Sequence, residues 1–312
     1  MSSGGGTKAI VAALSANLGI AVTKFVAFLL TRSSSMLAES IHSLADSGNQ
    51  VLLLVGGKRA QRSATPQHPF GYGRERYVYG FVVSIVLFTV GGLFALYEAY
   101  HKWHDPHGIE SWKWVPVVVL LAAIAMESYS FRTAIHESNA VRGQRSWKDF
   151  VRTAKAPELP VILLEDLAAL LGLVFALFGV ALTLLTDDGR WDAVGTAAIG
   201  VLLVVVAAVL AVEMKSLLVG EAATPETVRR IEAALVGEGV SSIIHMRTLH
   251  LGPEELLVAA KIAVPPTESA TDVAEAIDAA EVRVREAVPI ARVIYLEPDI
   301  RRVSAPGATV EA

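Results

Sequence analysis

The chain has 312 residues, of which 53% are hydrophobic and only 19% are charged, a composition too apolar for an ordinary soluble domain. Its formal net charge is -4, so it lacks the basic excess that indicates a nucleic-acid partner. The sequence contains no cysteine, which excludes disulfides, iron–sulfur clusters and thiolate metal sites. These features predict a membrane protein in which any metal is held by nitrogen and oxygen ligands.

Six apolar segments are long enough to cross a bilayer as helices, which takes about 20 residues each. The N-terminal residues lack the pattern of a removable signal peptide, so we expect the first segment to remain as a span. We predict an α-helical transmembrane domain over residues 1–213, with spans at residues 9–31, 34–57, 77–100, 113–136, 158–185 and 191–213.

The short connections between these spans are strongly asymmetric in basic residues. One side carries twelve Lys and Arg residues and the other carries four. Because basic loops stay in the cytoplasm, this bias places both termini there, and we expect the membrane to be a bacterial plasma membrane. The twelve are Lys8, Lys58, Arg59, Arg62, Arg74, Arg76, Arg132, Arg142, Arg145, Lys148, Arg152 and Lys155, and the four are Arg32, Lys102, Lys113 and Arg190.

The second predicted span contains an unexpected stripe of polar residues. Glu39, His42, Asp46 and Asn49 are spaced i, i+3, i+7 and i+10, so all four lie on one face of a helix. An ionisable side chain at the bilayer centre costs at least about 2.5 kcal/mol, so this stripe needs a compensating role. The small residues between them allow a neighbouring helix to approach closely.

Polar residues of other spans lie at a similar depth, counted from the cytoplasmic side at 1.5 Å per residue. This common depth predicts one intramembrane site, whose metal ligands we expect to be His42, Asp46, Glu165 and Asp166. Such a set suits Zn²⁺ and also Mn²⁺, Fe²⁺ or Co²⁺. Three further polar residues at this depth are predicted to support the ligands or relay protons, namely Asn17, Asn49 and Glu127.

Several assignments within this layer have alternatives. Glu165 and Asp166 are 100° apart around a helix, so both face one ion only if the helix is rotated to place the ion's direction between them. Otherwise one of the two supports the ligands or carries protons. Lys24 is expected to pair with Glu39 or to extend toward the membrane surface. Glu127 either relays protons or pairs with Arg132.

Residues 214–300 are more charged and predict a small α+β domain. Its expected order is helix 224–238, strands 241–250 and 256–264, helix 270–287 and strand 291–298, from helix caps and from hydrophobic periodicity. His245 and His250 are five residues apart on a strand, so they point to opposite faces and cannot share one ion. We expect residues 301–312 to be a disordered tail.

Two motifs and the arrangement of spans resemble the cation diffusion facilitator family of divalent metal/proton antiporters. The motifs are "SSSMLAESIHSLADSGNQ" in span two and "HPFGYGRERY" before span three. The resemblance implies a homodimer, a ferredoxin-like cytoplasmic dimerisation domain, and a four-ligand metal site built by spans two and five. The family usually has His or Asp four residues before Asp166, where Ile162 stands here; "LLEDLAALLG" resembles the branch with Glu-Asp at this place.

The same resemblance suggests accessory metal sites whose ligands are incomplete in this chain. His68 is present in the loop after span two, but Tyr72 stands where a second histidine is expected. In the C-terminal domain, His245 and Glu297 remain as candidate ligands, while Lys261 replaces another. We therefore expect dimer packing, more than metal binding, from this domain.

The sequence as a whole predicts a secondary transporter that exports a divalent metal, Zn²⁺ above all, in exchange for protons. Metal and protons compete for the same deprotonated ligands, and histidine suits this role because its unperturbed pKa lies near 6.5. The alternative is a metal-responsive membrane sensor or scaffold that transports nothing. An enzyme is not expected, since no nucleophile lies beside a base, and no prosthetic group is implied.

Overall fold

A computed structural model of the protein describes residues 3–109 and 112–301, with side chains from residue 17 onward. The chain forms two compact units, the first made of residues 1–61 and 75–215 and the second of residues 62–74 and 216–312. The predicted disordered tail lies outside the described residues, except for Arg301.

The first unit is entirely helical where it is described. Long helical segments coincide with all six predicted spans, and four of them, at Glu75–His104, Trp114–Arg142, Glu158–Thr186 and Arg190–Val219, are long and apolar enough to cross a membrane. The protein is therefore a multi-pass helical membrane protein. Its helices are α1 (Ser3–Thr31), α2 (Ser34–Ala60), α3 (Glu75–Val86), α4 (Phe94–His104), α5 (Trp114–Arg142), α6 (Trp147–Thr153), α7 (Glu158–Thr186) and α8 (Arg190–Val219).

The first two predicted spans differ from the other four in hydropathy. Asn17–Thr31 of α1 forms only a shorter apolar helix among the described side chains, and α2 carries the predicted polar stripe. Helix α2 packs against α1, α3 and α7, so its polar face is turned toward other helices. Such burial is how a polar helix is accommodated within a membrane protein.

The third span is interrupted by a π-helical segment at Leu87–Leu93, between α3 and α4. The predicted span at residues 77–100 is confirmed as a helix over Glu75–His104, and the sequence reasoning did not identify the π-helical segment within it. Gly91 and Gly92 within the segment lie against α8, where a Cβ on Gly92 would be 2.7 Å from Val204 Cγ2. Two glycines allow this close approach, and π-helical segments are common at functional sites.

Helix α2 begins at a buried carboxylate that comes from α8. Asp192 accepts hydrogen bonds from Ser33 Oγ at 2.9 Å, from Ser34 N at 2.7 Å, from Ser34 Oγ at 3.1 Å and from Ser35 N at 3.3 Å. The free amide groups and positive dipole end of a helix N-terminus favour a negative charge at this place. Asp192, which is fully buried, therefore fixes the start of α2 to α8.

Replacing Asp192 with Ala is expected to destabilise the protein by about 3 kcal/mol, since hydrogen bonds to a charged group contribute roughly 1.5–3 kcal/mol each and do not add fully. Asp188→Ala removes a half-buried carboxylate that, among the described residues, accepts a hydrogen bond from Arg190 N and should cost about 1 kcal/mol or less. Reversible unfolding in mixed micelles measures both variants. Equal losses would show that Asp192 does not anchor α2.

The second unit contains a three-stranded sheet covered by two helices. Strands β1 (Ser242–Gly252) and β2 (Glu255–Ala263) are antiparallel, and β3 (Val293–Asp299) lies parallel to β2 in the order β1-β2-β3. Helices α9 (Pro225–Leu235) and α10 (Ala270–Ala287) contribute Ile231, Leu235, Ala280 and Val284 to the core. The predicted α+β order is therefore confirmed.

Local signals explain why this unit was predictable. Thr224 and Ser269 are the N-caps of α9 and α10, and Ser269 forms a capping box with Asp272. The hydrogen bond from Ser269 Oγ lowers the pKa of Asp272. Helix α9 ends at Leu235, three residues before its predicted end, because Val236 is extended and Gly237 forms a β-bridge with Val240.

The "HPFGYG" loop forms a turn before α3. Thr65 and His68 exchange main-chain hydrogen bonds, and Gly71 has a φ of +76°. A Cβ on Gly73 would lie 2.8 Å from the carbonyl oxygen of Leu251. Glycine is therefore required here by the close approach of two backbones.

Candidate metal centre

The polar stripe of α2 is buried. Glu39, His42 and Asn49 are at most 1% exposed, and the side chain of Asp46 is 17% exposed. Helix periodicity alone places the four residues on one face, and the contacts of α2 with its neighbouring helices bury that face. The structure thus concentrates an imidazole and two carboxylates inside the helical unit.

His42 and Asp46 form the centre of this stripe. His42 Nε2 lies 3.5 Å from Asp46 Oδ2, a distance too long for a good hydrogen bond. Both ring nitrogens of His42 and Asp46 Oδ1 are buried without a hydrogen-bond partner among the described residues. Since buried polar atoms are nearly always satisfied, the Asp46 carboxylate and the unprotonated nitrogen of a neutral His42 ring are suited to a cation.

Helix α7 brings a third group to the stripe. Asn49 Nδ2 donates a hydrogen bond to Glu165 Oε1 at 2.7 Å, and Glu165 is 4% exposed. Helices α2 and α7 therefore bring His42, Asp46 and Glu165 into one buried region, and Asn49 orients the Glu165 carboxylate.

Asp166 faces a different helix. Its Oδ2 accepts a hydrogen bond from Ser130 Oγ of α5 at 2.9 Å. The two adjacent carboxylates of α7 therefore face different helices, with Glu165 toward α2 and Asp166 toward α5. Among the residues that the structure describes, no three His, Asp or Glu side chains lie close enough together to hold a metal ion. The four predicted ligands are thus near one another but do not converge.

The other polar residues of this layer have separate positions. Lys24 Nζ lies 3.0 Å from Glu39 Oε2 and donates to Ser43 Oγ at 2.8 Å, so the predicted ion pair is confirmed, with Lys24 only 1% exposed. Asn17 and Glu127 are half-buried. Within the described part of the chain, no hydrogen bond or ion pair joins Glu127 to Arg132, or Asn17 and Glu127 to the four predicted ligands. Their supporting roles remain predictions.

The predicted accessory residues lie on the second unit. The His68 ring packs on Tyr72, with ring centroids 4.6 Å apart. His245, Lys261 and Glu297 are neighbours across one row of the sheet, and Lys261 Nζ lies 3.1 Å from Glu297 and 3.0 Å from Asp299. Hydrogen bonds with Asp299 and Glu297 raise the pKa of Lys261. The resulting ammonium ion disfavours a metal beside His245 and Glu297.

Sequence reasoning did not identify three residues that shape this region. Ser130 is three residues after Glu127 and shares its helix face, a spacing that could have indicated it. Asp192 lies near the start of the sixth span, 158 residues after Ser34, and no local pattern links the two. A third omission is Gly91, where a Cβ would lie 3.9 Å from His42 Nδ1.

Imidazole and carboxylate groups buried between α2 and α7 define an integral membrane protein with an interior suited to a cation. Residues 10–219 match the family model of the cation efflux transmembrane domain. Because this match covers more than half of the chain, the protein belongs to the cation efflux family.

Individual proteins of known name are also similar to this chain. The chain is 32% identical over 224 residues to the mitochondrial proton-coupled zinc antiporter SLC30A9 of Homo sapiens, an alignment covering 71% of this chain but only 39% of that protein. It is 31% identical over 121 residues to the zinc transporter ZitB of Pectobacterium atrosepticum, covering 39% of this chain and 36% of ZitB. A solved nickel form of the MamM CTD is 20% identical and covers 25% of this chain and all of that one, with a TM-score of 0.24.

Proposed function

We propose that the protein exports a divalent transition metal cation, most favourably Zn²⁺, from the cytoplasm in exchange for protons. The observation that carries this proposal is the buried pair of His42 and Asp46, whose ring nitrogens and Oδ1 lack hydrogen-bond partners among the described residues, with Glu165 of α7 held beside the same stripe by Asn49. A neutral imidazole with carboxylates is a common Zn²⁺ donor set. Membership of the cation efflux family and the zinc transporters among its relatives support the same substrate, while Mn²⁺, Fe²⁺ and Co²⁺ accept similar ligands.

In this proposal, His42, Asp46 and Glu165 bind the ion directly. Asn49 holds one oxygen of Glu165, which leaves the other oxygen for the metal. Asp166 is the fourth ligand and joins the ion by leaving Ser130. Metal binding requires all of these groups to be deprotonated, so protons arriving from the outside face compete with the ion and release it. Alternating access of the cluster to the two sides couples the two fluxes.

The proposed arrangement in the membrane has six spans and both termini in the cytoplasm. The basic residues concentrated at one end of the helices support this orientation. The three-stranded domain over residues 214–300 is then cytoplasmic, and we propose that it joins two chains as a homodimer. A bacterial plasma membrane remains our proposed location. No enzymatic activity and no prosthetic group belong to this proposal.

The test is uptake of Zn²⁺, Mn²⁺, Fe²⁺ and Co²⁺ by proteoliposomes that contain the purified protein and carry an imposed pH gradient. We expect Zn²⁺ uptake that depends on the gradient and stops when a protonophore abolishes it, with protein-free liposomes as the control. Uptake indifferent to the gradient would overturn proton exchange. No uptake of any ion by folded protein would instead favour a sensor or scaffold.

A further inference from the structure

An apolar groove opens on the side of the helical unit. It has a volume of about 860 Å³ and lies between α5, α6, α7 and α8. Its walls are aliphatic and aromatic, and include Phe131 and Ile135 from α5, Leu164 and Leu167 from α7, and Val209 and Val212 from α8. Three of these four helices are among those long and apolar enough to cross a membrane.

The rim of this groove is basic. Helix α6 contributes Lys148 and Arg152 to the lining, and residues 142–155 contain five Lys or Arg residues and one Asp. The Lys148 side chain is exposed. Arg152 is 63% exposed and lies 3.8 Å from Glu213, a long ion pair that leaves most of the guanidinium accessible. The groove therefore has an apolar interior and a cationic edge.

Aromatic contacts hold α6 at this edge. Phe150 is 1% exposed and packs beside Ala134 and Leu163, which fixes the helix to α5 and α7. Trp147 is 39% exposed, and the guanidinium of Arg142 lies over its ring, 4.3 Å from the centroid. Trp beside Arg and Lys is typical of the boundary between hydrocarbon and headgroups. This composition is the one expected of a rim at headgroup level, with the apolar walls in the hydrocarbon.

We propose that this groove binds an anionic phospholipid, with an acyl chain between α5, α7 and α8 and the phosphate beside Lys148 and Arg152. An acyl chain matches the apolar walls, and a phosphate matches the two accessible cations by charge. Basic pockets between transmembrane helices at the cytoplasmic side bind anionic headgroups on the same physical basis. The proposal does not depend on which ion the protein transports.

The position of Trp147 provides a direct test. The protein has five Trp residues, and the other four lie at the opposite ends of the helices, at positions 103, 112, 114 and 191. Changing these four to Phe leaves Trp147 as the only indole. Its quenching is measured in bilayers of phosphatidylcholine that contain equal mole fractions of acyl-brominated phosphatidylglycerol or acyl-brominated phosphatidylcholine.

We expect brominated phosphatidylglycerol to quench Trp147 more than brominated phosphatidylcholine does, on the order of tenfold, and we call this ratio the lipid preference. The scale is set by two cationic side chains near an anionic lipid. The double variant Lys148→Gln/Arg152→Gln should reduce this preference to near unity. The matched control Lys58→Gln/Arg59→Gln removes two cations from the end of α2, at the same side of the membrane, and should keep it. A second variant, Ala208→Phe, fills the groove without changing its charge and should also abolish the preference.

Three outcomes would overturn the proposal. Equal quenching by both lipids in the parent protein would show that no anionic lipid is selected. If the preference survives Lys148→Gln/Arg152→Gln or Ala208→Phe, it arises from general surface charge outside the groove. Shielding of Trp147 from both lipids, together with cross-linking between two copies through α6, would show that a second chain covers the groove.

Discussion

Glu165→Gln is expected to weaken Zn²⁺ binding by about 100-fold or more, whereas Asp166→Asn should weaken it by about tenfold. Supporting residues of metal sites typically account for 10–100-fold in affinity, and a direct ligand exceeds that range. Glu165 is buried and accepts a hydrogen bond from Asn49 of α2. Asp166 must break its hydrogen bond with Ser130 of α5 in order to bind the ion. The free energy lost with this hydrogen bond offsets part of what Asp166 contributes to Zn²⁺ binding.

Competition with a chromogenic chelator measures the Zn²⁺ affinity of both purified variants, and gradient-driven uptake measures their transport. Glu158→Gln is a matched control, because it neutralises a carboxylate of the same helix that is paired with Arg76, seven residues before the site, and should leave Zn²⁺ affinity unchanged. The reverse order, with Asp166→Asn the more damaging, would mean that α7 rotates when metal binds and that Asp166 is the principal ligand.

The burial of the α2 stripe was predictable because it depends only on helix periodicity. Residues 39, 42, 46 and 49 must share a face on any straight helix, and the cost of exposing them to lipid requires that face to be covered. The Lys24–Glu39 pair followed from the same reasoning about cost. In the second unit, the caps at Thr224 and Ser269 marked the helix starts directly.

The rotation of α7 could not be predicted in the same way. The segment "LLEDLAALLG" is apolar on every side apart from its two carboxylates, so no stripe indicates which carboxylate faces α2. The choice is made by partners on other helices, Asn49 for Glu165 and Ser130 for Asp166. The anchoring of α2 by Asp192 and the π-helical segment at Leu87–Leu93 likewise depend on packing between elements distant in sequence.

The buried pair of Lys24 and Glu39 is expected to be costly to break but dispensable as a pair. Either Lys24→Met or Glu39→Leu leaves an uncompensated charge among side chains that are at most 1% exposed, which should cost about 3–5 kcal/mol of stability. The double variant removes both charges and keeps similar volumes, and comparable replacements are often neutral or stabilising. We therefore expect it to be close to wild type in reversible unfolding in mixed micelles.

Transport by the double variant then separates two roles of the pair. Glu39 is one turn before His42, and a Cβ on Gly172 of α7 would lie 2.8 Å from its Oε1, so Glu39 lies between α2 and α7, the helices that carry the proposed metal ligands. Retained Zn²⁺ uptake would show that it serves packing, as we expect. If the double variant is stable but inactive, the charges themselves contribute to ion transfer, and a double variant as unstable as the single ones would contradict the ion-pair argument.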